Sequence, residues 1–175
     1  MDARRPLSPS LDNGGRRVVL AVGYEGVPRL RAHPWKAEKG QAMSSSNQRT
    51  VINAEGVVDW GLPYPHAIKF GNLVFLSGQL AQDEATGEPV EGGIKPQTRK
   101  VLENIKAVLE ASGTSMDMVL KTTCFLMDRN DFDEFNVVYR EFFPKGKEPA
   151  RSTFQVAKLA PGYIVEIEVI AGIPD

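Results

Sequence analysis

The run Val165-Glu166-Ile167-Glu168-Val169 alternates apolar and acidic residues without a break. A period of two is the mark of a β-strand with one buried face, whereas a helix would scatter both residue types around its circumference. The strand is expected over Tyr163 to Ala171, with Val165, Ile167 and Val169 on one side and Glu166 and Glu168 on the other, the two carboxylates roughly 7 Å apart. Something must cover the apolar side. The spacing of Val101, Leu102, Ile105, Val108 and Leu109 predicts an amphipathic helix that starts near Pro96, runs to Ser112 and closes at Gly113. A second helix is expected after the capping side chains of Asp128 to Asp131, with an apolar face of Phe132, Phe135, Tyr139 and Phe142. Ala67 to Phe70 and Leu73 to Ser77 read as strands joined across Gly71-Asn72, and Lys121 to Met127 and Ser152 to Val156 as two more. The order ββ-α-β-α-ββ implies an α/β chain of the α+β type, a mixed β-sheet with two helices packed on one face.

The chain has 175 residues, 42% of them hydrophobic, enough for one domain with a real core and an appended segment. Residues 1–48 show no sustained periodicity and contain Pro6, Pro9, Pro28, Pro34, the Gly14-Gly15 pair and Ser44-Ser45-Ser46-Asn47. They are expected to form a disordered or loosely packed extension to a domain at 49–175. A native start at Met43 is a second expectation for this segment. Its Arg-rich balance resembles an organelle transit peptide, but Asp2, Glu25 and the weak amphipathicity speak against one, so a cytoplasmic location is expected.

Residues 1–43 carry eight basic and four acidic side chains, a net +4, which leaves −5 on the remainder of a chain of net charge −1. An acidic folded part is a poor match for phosphate backbones, so no nucleic acid is expected as a partner. No apolar run approaches the roughly 18 residues that cross a bilayer, so no membrane association is expected either. A single cysteine, Cys124, and two histidines, His33 and His66, offer neither an intrachain disulfide nor a clustered metal-ligand set. Gly92-Gly93 lacks the spacing and the lysine of a phosphate cradle.

The polar groups on strands and loops are the candidates for chemistry. Arg151, in Pro149-Ala150-Arg151-Ser152-Thr153, enters a strand as a planar fork able to hold a carboxylate by two charge-assisted hydrogen bonds. Taken alone, the plainer explanation is the stronger: such an arginine pairs with a neighbouring acid or lies along the surface. Glu166 and Glu168 are either the solvated face of an edge or interface strand or a carboxylate pair that orients water or moves a proton. Tyr64 in Leu62-Pro63-Tyr64-Pro65, Ser77 in Leu76-Ser77-Gly78-Gln79, and Asn136 in the second helix each have a plain structural reading as well. His66 has no acid or hydroxyl partner in the sequence, so a Ser-His-Asp relay is not expected. Cys124 reads as a small buried hydrophobe.

Taken together, Leu76-Ser77-Gly78-Gln79, Asn104-Ile105-Lys106-Ala107-Val108, Lys121-Thr122-Thr123, Asn130-Asp131-Phe132, Asn136-Val137-Val138-Tyr139, Pro149-Ala150-Arg151-Ser152 and Glu166-Ile167-Glu168 resemble a known family in order and near-family spacing over about residues 50–173. It is the RidA/YjgF/UK-type family of reactive-intermediate (enamine/imine) deaminases, which also carries the older label L-PSP endoribonuclease. The resemblance implies a chorismate-mutase-like fold assembled as a homotrimer with clefts between subunits. It implies hydrolysis of 2-iminobutanoate and 2-iminopropanoate to 2-oxo acids and ammonia, without a cofactor or metal. Carried over residue by residue, Arg151 would bind the substrate carboxylate and Glu166 would attend the hydrolytic water. Tyr64, Ser77, Gly78 and Asn136 would shape the pocket, and the backbone near Thr153 would hold the water; Arg151 and Tyr64 would come from different subunits. The chain departs from the family pattern at Thr153, where cysteine is common, at Pro65-His66, and in a short loop at residues 144–148. A non-catalytic, small-acid-binding or regulatory trimer is the alternative reading, followed by a ribonuclease or translation inhibitor.

Overall fold

A computed structural model describes residues 48–174. The expectations for the N-terminal extension, including a start at Met43, fall outside the described residues except at residue 48. The strands are β1 (Thr50–Ile52), β2 (Ala67–Phe70), β3 (Leu73–Gln79), β4 (Val119–Leu126), β5 (Ala150–Gln155) and β6 (Val165–Gly172), and the helices are α1 (Ile94–Ala111) and α2 (Phe132–Phe142). One six-stranded sheet runs β1-β2-β3-β6-β4-β5. Every neighbouring pair is antiparallel except β4 with β5, which α2 connects as a crossover. Among the described residues no helix is long and apolar enough to cross a membrane.

The alternation in β6 does what its period requires. Val165, Ile167, Val169 and Ala171 are buried towards the helices, while Glu166 is half-buried and Glu168 exposed on the other face. Helix α1 buries Val101, Leu102, Ile105, Val108 and Leu109 completely, and Gly113 (φ 81°) turns the chain away at its end. In α2 the buried residues are Phe135, Val138 and Tyr139, followed by Phe143. The expected Phe142 is only partly covered, because the helix stops there and the non-helical cap residue Phe143 (φ −124°, ψ 80°) turns its ring into the core instead. Cys124 lies fully buried between Thr122 and Leu126.

Two strand expectations change. Residues 50–52 form β1, an additional strand pairing with β2, which carries no periodic signal because it is a short and largely exposed edge. Strand β6 is interior, flanked by β3 and β4, so Glu166 and Glu168 stand on the outer face of a central strand and not on a sheet edge.

His66 has partners that no local pattern announces. It is 6% exposed, its Nδ1 accepts the backbone N–H of Ala54 (3.0 Å), and its Nε2 lies 3.1 Å from the Val58 carbonyl. Because Nδ1 accepts, the neutral ring carries its proton on Nε2 and donates it to Val58. The ring therefore fastens residues 54–58 to the start of β2 and is not spare for pocket chemistry. His66→Ala strands a buried N–H and leaves a carbonyl without its donor. We expect it to cost about 2–3 kcal/mol in denaturant unfolding and to accelerate amide exchange at Ala54.

Candidate functional site

Arg151 stands on β5, the strand at one end of the sheet, in register with Thr122 of β4. That register points its side chain to the helix-covered face, where α2 crosses above it. The guanidinium Nη1–H donates to Asn136 Oδ1 (2.8 Å), and its central carbon lies 4.6 Å from the Tyr139 ring centroid, 5.4 Å from Phe132 and 5.7 Å from Phe135. Aromatic faces attract the cation without neutralising it. Among the described residues no carboxylate lies within ion-pair distance of it, although five other Lys or Arg side chains are so paired. Asn136 is oriented by this contact: arginine has no acceptor, so the amide must turn its oxygen to Nη1 and leave its NH₂ to donate elsewhere. A cavity of ≈ 370 Å³ opens beside the pair, with Phe132, Asn136, Tyr139, Arg140, Glu148 and Arg151 in its lining. Thr153 follows two residues along the same face of β5, opposite Cys124, and its Oγ1 is buried with no hydrogen-bond partner among the described residues.

The remaining candidates assemble elsewhere. Between Leu76 and Gln79 the register of β3 against β6 slips by one residue, a bulge at Ser77-Gly78. The bulge brings Gly78 against Glu166: a Cβ built on Gly78 would lie 1.9 Å from Glu166 Oε1 and 2.8 Å from its carboxyl carbon. The missing side chain at position 78 is thus the seat of the Glu166 carboxylate. Burial pushes the Glu166 pKa up, and the charge of Glu168 pushes it further. Tyr64 is close enough to sense this charge: burial, then Glu166, then Asp59 hold its hydroxyl protonated above the usual tyrosine range. Ser77 Oγ donates to the Pro65 carbonyl (2.8 Å) and Ser77 N–H to the His66 carbonyl (3.0 Å). Its hydroxyl therefore pins the Tyr64 loop to β3 and keeps only acceptor capacity for anything else.

A single chain thus holds two half-sites: Arg151, Asn136 and Thr153 on one, Tyr64, Ser77, Gly78 and Glu166 on the other. Glu166 pairs with Phe125, and Phe125 with Phe154, three residues past Arg151. Two strand spacings across and three residues along put the Arg151 and Glu166 backbones roughly 14 Å apart, with side chains on opposite faces. Arginine and glutamate do not meet within one copy. Residues absent from the expected site also emerge, chiefly Tyr139, which appeared in the sequence only as a core aromatic, and Arg140 and Glu148 at the cavity. Helical spacing contained the signal for two of them, since residues 132, 136, 139 and 140 recur at i, i+4, i+7 and i+8 and lie on one side of α2. Among the described residues no group of three or more His, Cys, Asp and Glu is placed to hold a metal ion.

Comparison with known proteins places this geometry. The family model described as Endoribonuclease L-PSP matches residues 60–173. A RutC family protein of Pyrococcus horikoshii is 52% identical over 109 residues, covering 62% of this chain and 86% of its own. The human protein named 2-iminobutanoate/2-iminopropanoate deaminase is 36% identical over 129 residues, covering 74% of this chain and 93% of its own. The crystal structure of RidA from the Antarctic bacterium Psychrobacter sp. superposes with a TM-score of 0.67 at 40% identity, over 71% of this chain and 99% of that one. With a matched family model over most of the chain, close relatives along nearly their whole length and the same fold, this chain belongs to the Endoribonuclease L-PSP family, the RidA/YjgF group of reactive-intermediate deaminases and RutC proteins.

Proposed function

We propose that the protein hydrolyses short 2-imino acids, 2-iminobutanoate and 2-iminopropanoate among them, to 2-oxo acids and ammonia, in clefts that neighbouring copies of a homotrimer complete. The observation that carries this reading is the Arg151 guanidinium, half-buried, locked onto Asn136 and without an acidic partner among the described residues. A buried charge left unpaired is costly, and a ligand carboxylate offsets that cost. The names of relatives support the reaction class, since the human protein is named for the two imines and an Arabidopsis thaliana relative 43% identical to this chain is named Reactive Intermediate Deaminase A.

In the proposed reaction the carboxylate docks on Arg151 and the free Asn136 NH₂, which holds the adjacent C=N carbon in place. Glu166, reached from a neighbouring copy, takes a proton from water as the oxygen adds to that carbon and passes it to the imine nitrogen, which returns the glutamate to its carboxylate form. The carbinolamine then collapses: the carboxylate takes the hydroxyl proton and hands it to the amine nitrogen as the C–N bond breaks, so that ammonia departs and the 2-oxo acid remains. Tyr64 remains an O–H donor at neutral pH and suits a developing oxyanion or the departing nitrogen. Assembly is supported by the separation of the half-sites and by the outer sheet face, which exposes Phe70, Phe75 and Phe154 at 42–54% around Glu168 and Lys121. An apolar sheet face beside the edge of β5, which is unpaired among the described residues, favours burial against another chain.

The decisive test couples purified protein to a pyridoxal-phosphate threonine dehydratase and follows ammonia and 2-oxobutanoate. Release faster than spontaneous imine hydrolysis is expected; no acceleration at any protein concentration would overturn the assignment. A pH profile tests the role of Glu166 separately. A base works only when ionised, so kcat/KM should fall as pH drops through the Glu166 pKa, and burial and Glu168 set that acid limb above the ordinary glutamate range. Glu168→Gln removes one raising charge and should move the limb to lower pH, while Glu166→Gln should remove the limb and leave only a small residual activity.

A further inference from the structure

Tyr139 and Thr122 form a hydroxyl pair beneath Arg151 that no candidate role accounts for. Thr122 Oγ1 and Tyr139 OH are 2.8 Å apart, and the two residues are 0% and 4% exposed. Thr122 is also the register partner of Arg151 across the parallel β4–β5 pair. The contacts therefore close a ring: the strand pairing sets Thr122 beside Arg151, Thr122 holds the Tyr139 hydroxyl, and the Tyr139 ring lies under the guanidinium of that same arginine. Asn136, one helical turn before Tyr139 on α2, anchors Nη1 from the side. Phe135 and Phe143 stack against the Tyr139 ring at 5.4 and 4.7 Å, but such contacts limit where a ring sits more than how far it slides. The hydroxyl bond fixes the slide. Burial pushes the Tyr139 hydroxyl up to about 12, so the pair stays bonded throughout the physiological range.

We propose that Thr122 and Tyr139 are positioning residues that set the plane of the Arg151 guanidinium for its carboxylate, Tyr139 through its ring and Thr122 through the Tyr139 hydroxyl. This rests on the reading of Arg151 as a carboxylate receptor and deepens it. Two parallel hydrogen bonds to a planar carboxylate demand a planar donor in one orientation, and an arginine side chain has many rotamers from which to lose that orientation. The plain alternative is that two buried hydroxyls satisfy each other in the core. That alternative predicts lost stability and nothing more.

The test uses the full-length chain with Tyr139→Phe, Thr122→Val, the double variant, and Thr122→Ser as the conservative control. Steady-state kinetics on the dehydratase-generated imine are paired with calorimetric binding of 2-oxobutanoate. Tyr139→Phe and Thr122→Val should each raise KM, and the Kd for 2-oxobutanoate in parallel, by about 3- to 10-fold, with kcat within about twofold. The double variant should be no worse than either single one, because all three lose the same bond. Thr122→Ser keeps the hydroxyl and should keep the wild-type KM. If Tyr139→Phe fails to fold, the Thr122→Val and Thr122→Ser comparison carries the same contrast. Variants that melt earlier but retain wild-type KM and Kd overturn the proposal and leave the deaminase reading standing. Wild-type protein that binds 2-oxobutanoate without turning over the imine overturns the deaminase reading, while the Kd values still decide the positioning role. Wild-type protein that neither turns over nor binds overturns both.

Discussion

Arg151→Ala should lower kcat/KM for 2-iminobutanoate by about 10²–10⁴-fold and abolish measurable 2-oxobutanoate binding, with little change in unfolding free energy. The magnitude follows from losing two charge-assisted hydrogen bonds, each worth about 1.5–3 kcal/mol when not replaced by water. The fold should tolerate the change because Arg151 is at the rim of the sheet, half-buried, and the one side-chain hydrogen-bond partner of its guanidinium among the described residues, Asn136 Oδ1, faces a cavity that water can enter. Arg151→Lys is the informative companion. Lysine retains the positive charge but lacks the planar fork, so it should recover only part of the loss if bidentate recognition matters and nearly all of it if charge alone matters. An Arg151→Ala protein with wild-type kcat/KM would show that the carboxylate binds elsewhere.

Gly78→Ala should lower kcat by about 10²-fold while leaving KM near its wild-type value. The added methyl would meet Glu166 Oε1 at 1.9 Å, and real Cβ contacts essentially never fall below 3.0 Å, so the carboxylate must move by more than an ångström. A shift of that size at a reacting group is enough for a loss of two orders of magnitude. The obstructed atom is the end of a flexible side chain, and Gly78 does not have a positive φ, so the backbone accepts alanine and stability should change by less than about 1 kcal/mol. Carboxylate binding is untouched because Arg151 belongs to the other half-site. Two further measurements bind the effect to Glu166: the acid limb of kcat/KM should move down as the displaced carboxylate is rehydrated, and Gly78→Ala should add no further loss in a Glu166→Gln background. Additive losses in that background would assign the role of Gly78 to something other than seating the carboxylate.

Much of this architecture was legible because it depends on short-range periodicity. The alternation at residues 165–169 required a one-sided strand, and the stripe from Val101 to Leu109 required a helix to lie over it; both hold in the structure. The Asp128 side chain accepts from the Asn130 N–H and so caps the single 3-10 turn at Arg129–Asp131. Asp131, at the start of α2 where a capping side chain is expected, makes no such bond because its backbone already has helical dihedrals. Strand β1 was invisible because three exposed residues pair only through their backbone, which leaves no trace in side-chain pattern. The place of β6 in the sheet was equally out of reach, since alternation describes the faces of a strand and says nothing of its neighbours. His66 drew its partners from residues 8 to 12 positions away in a loop without repeat, where no periodic rule applies.

The site divides in the same manner. Residue chemistry alone marked Arg151 as a carboxylate fork, Glu166 as half of an acidic face, and Asn136 and Tyr64 as polar groups in apolar company, because charge, planarity and hydrogen-bonding capacity are properties of single side chains. Which of them are neighbours is a property of sheet order, register and face. The β3 bulge sets Gly78 beneath Glu166, the β4–β5 register sets Thr122 beside Arg151, and the opposite faces of β5 and β6 hold the arginine and the glutamate apart. Side-chain pattern specifies both helices and every described strand but β1, and residue chemistry specifies the vocabulary of the site. That one chain carries two separate halves of the site follows from strand pairing between residues far apart in the chain, which side-chain periodicity does not encode.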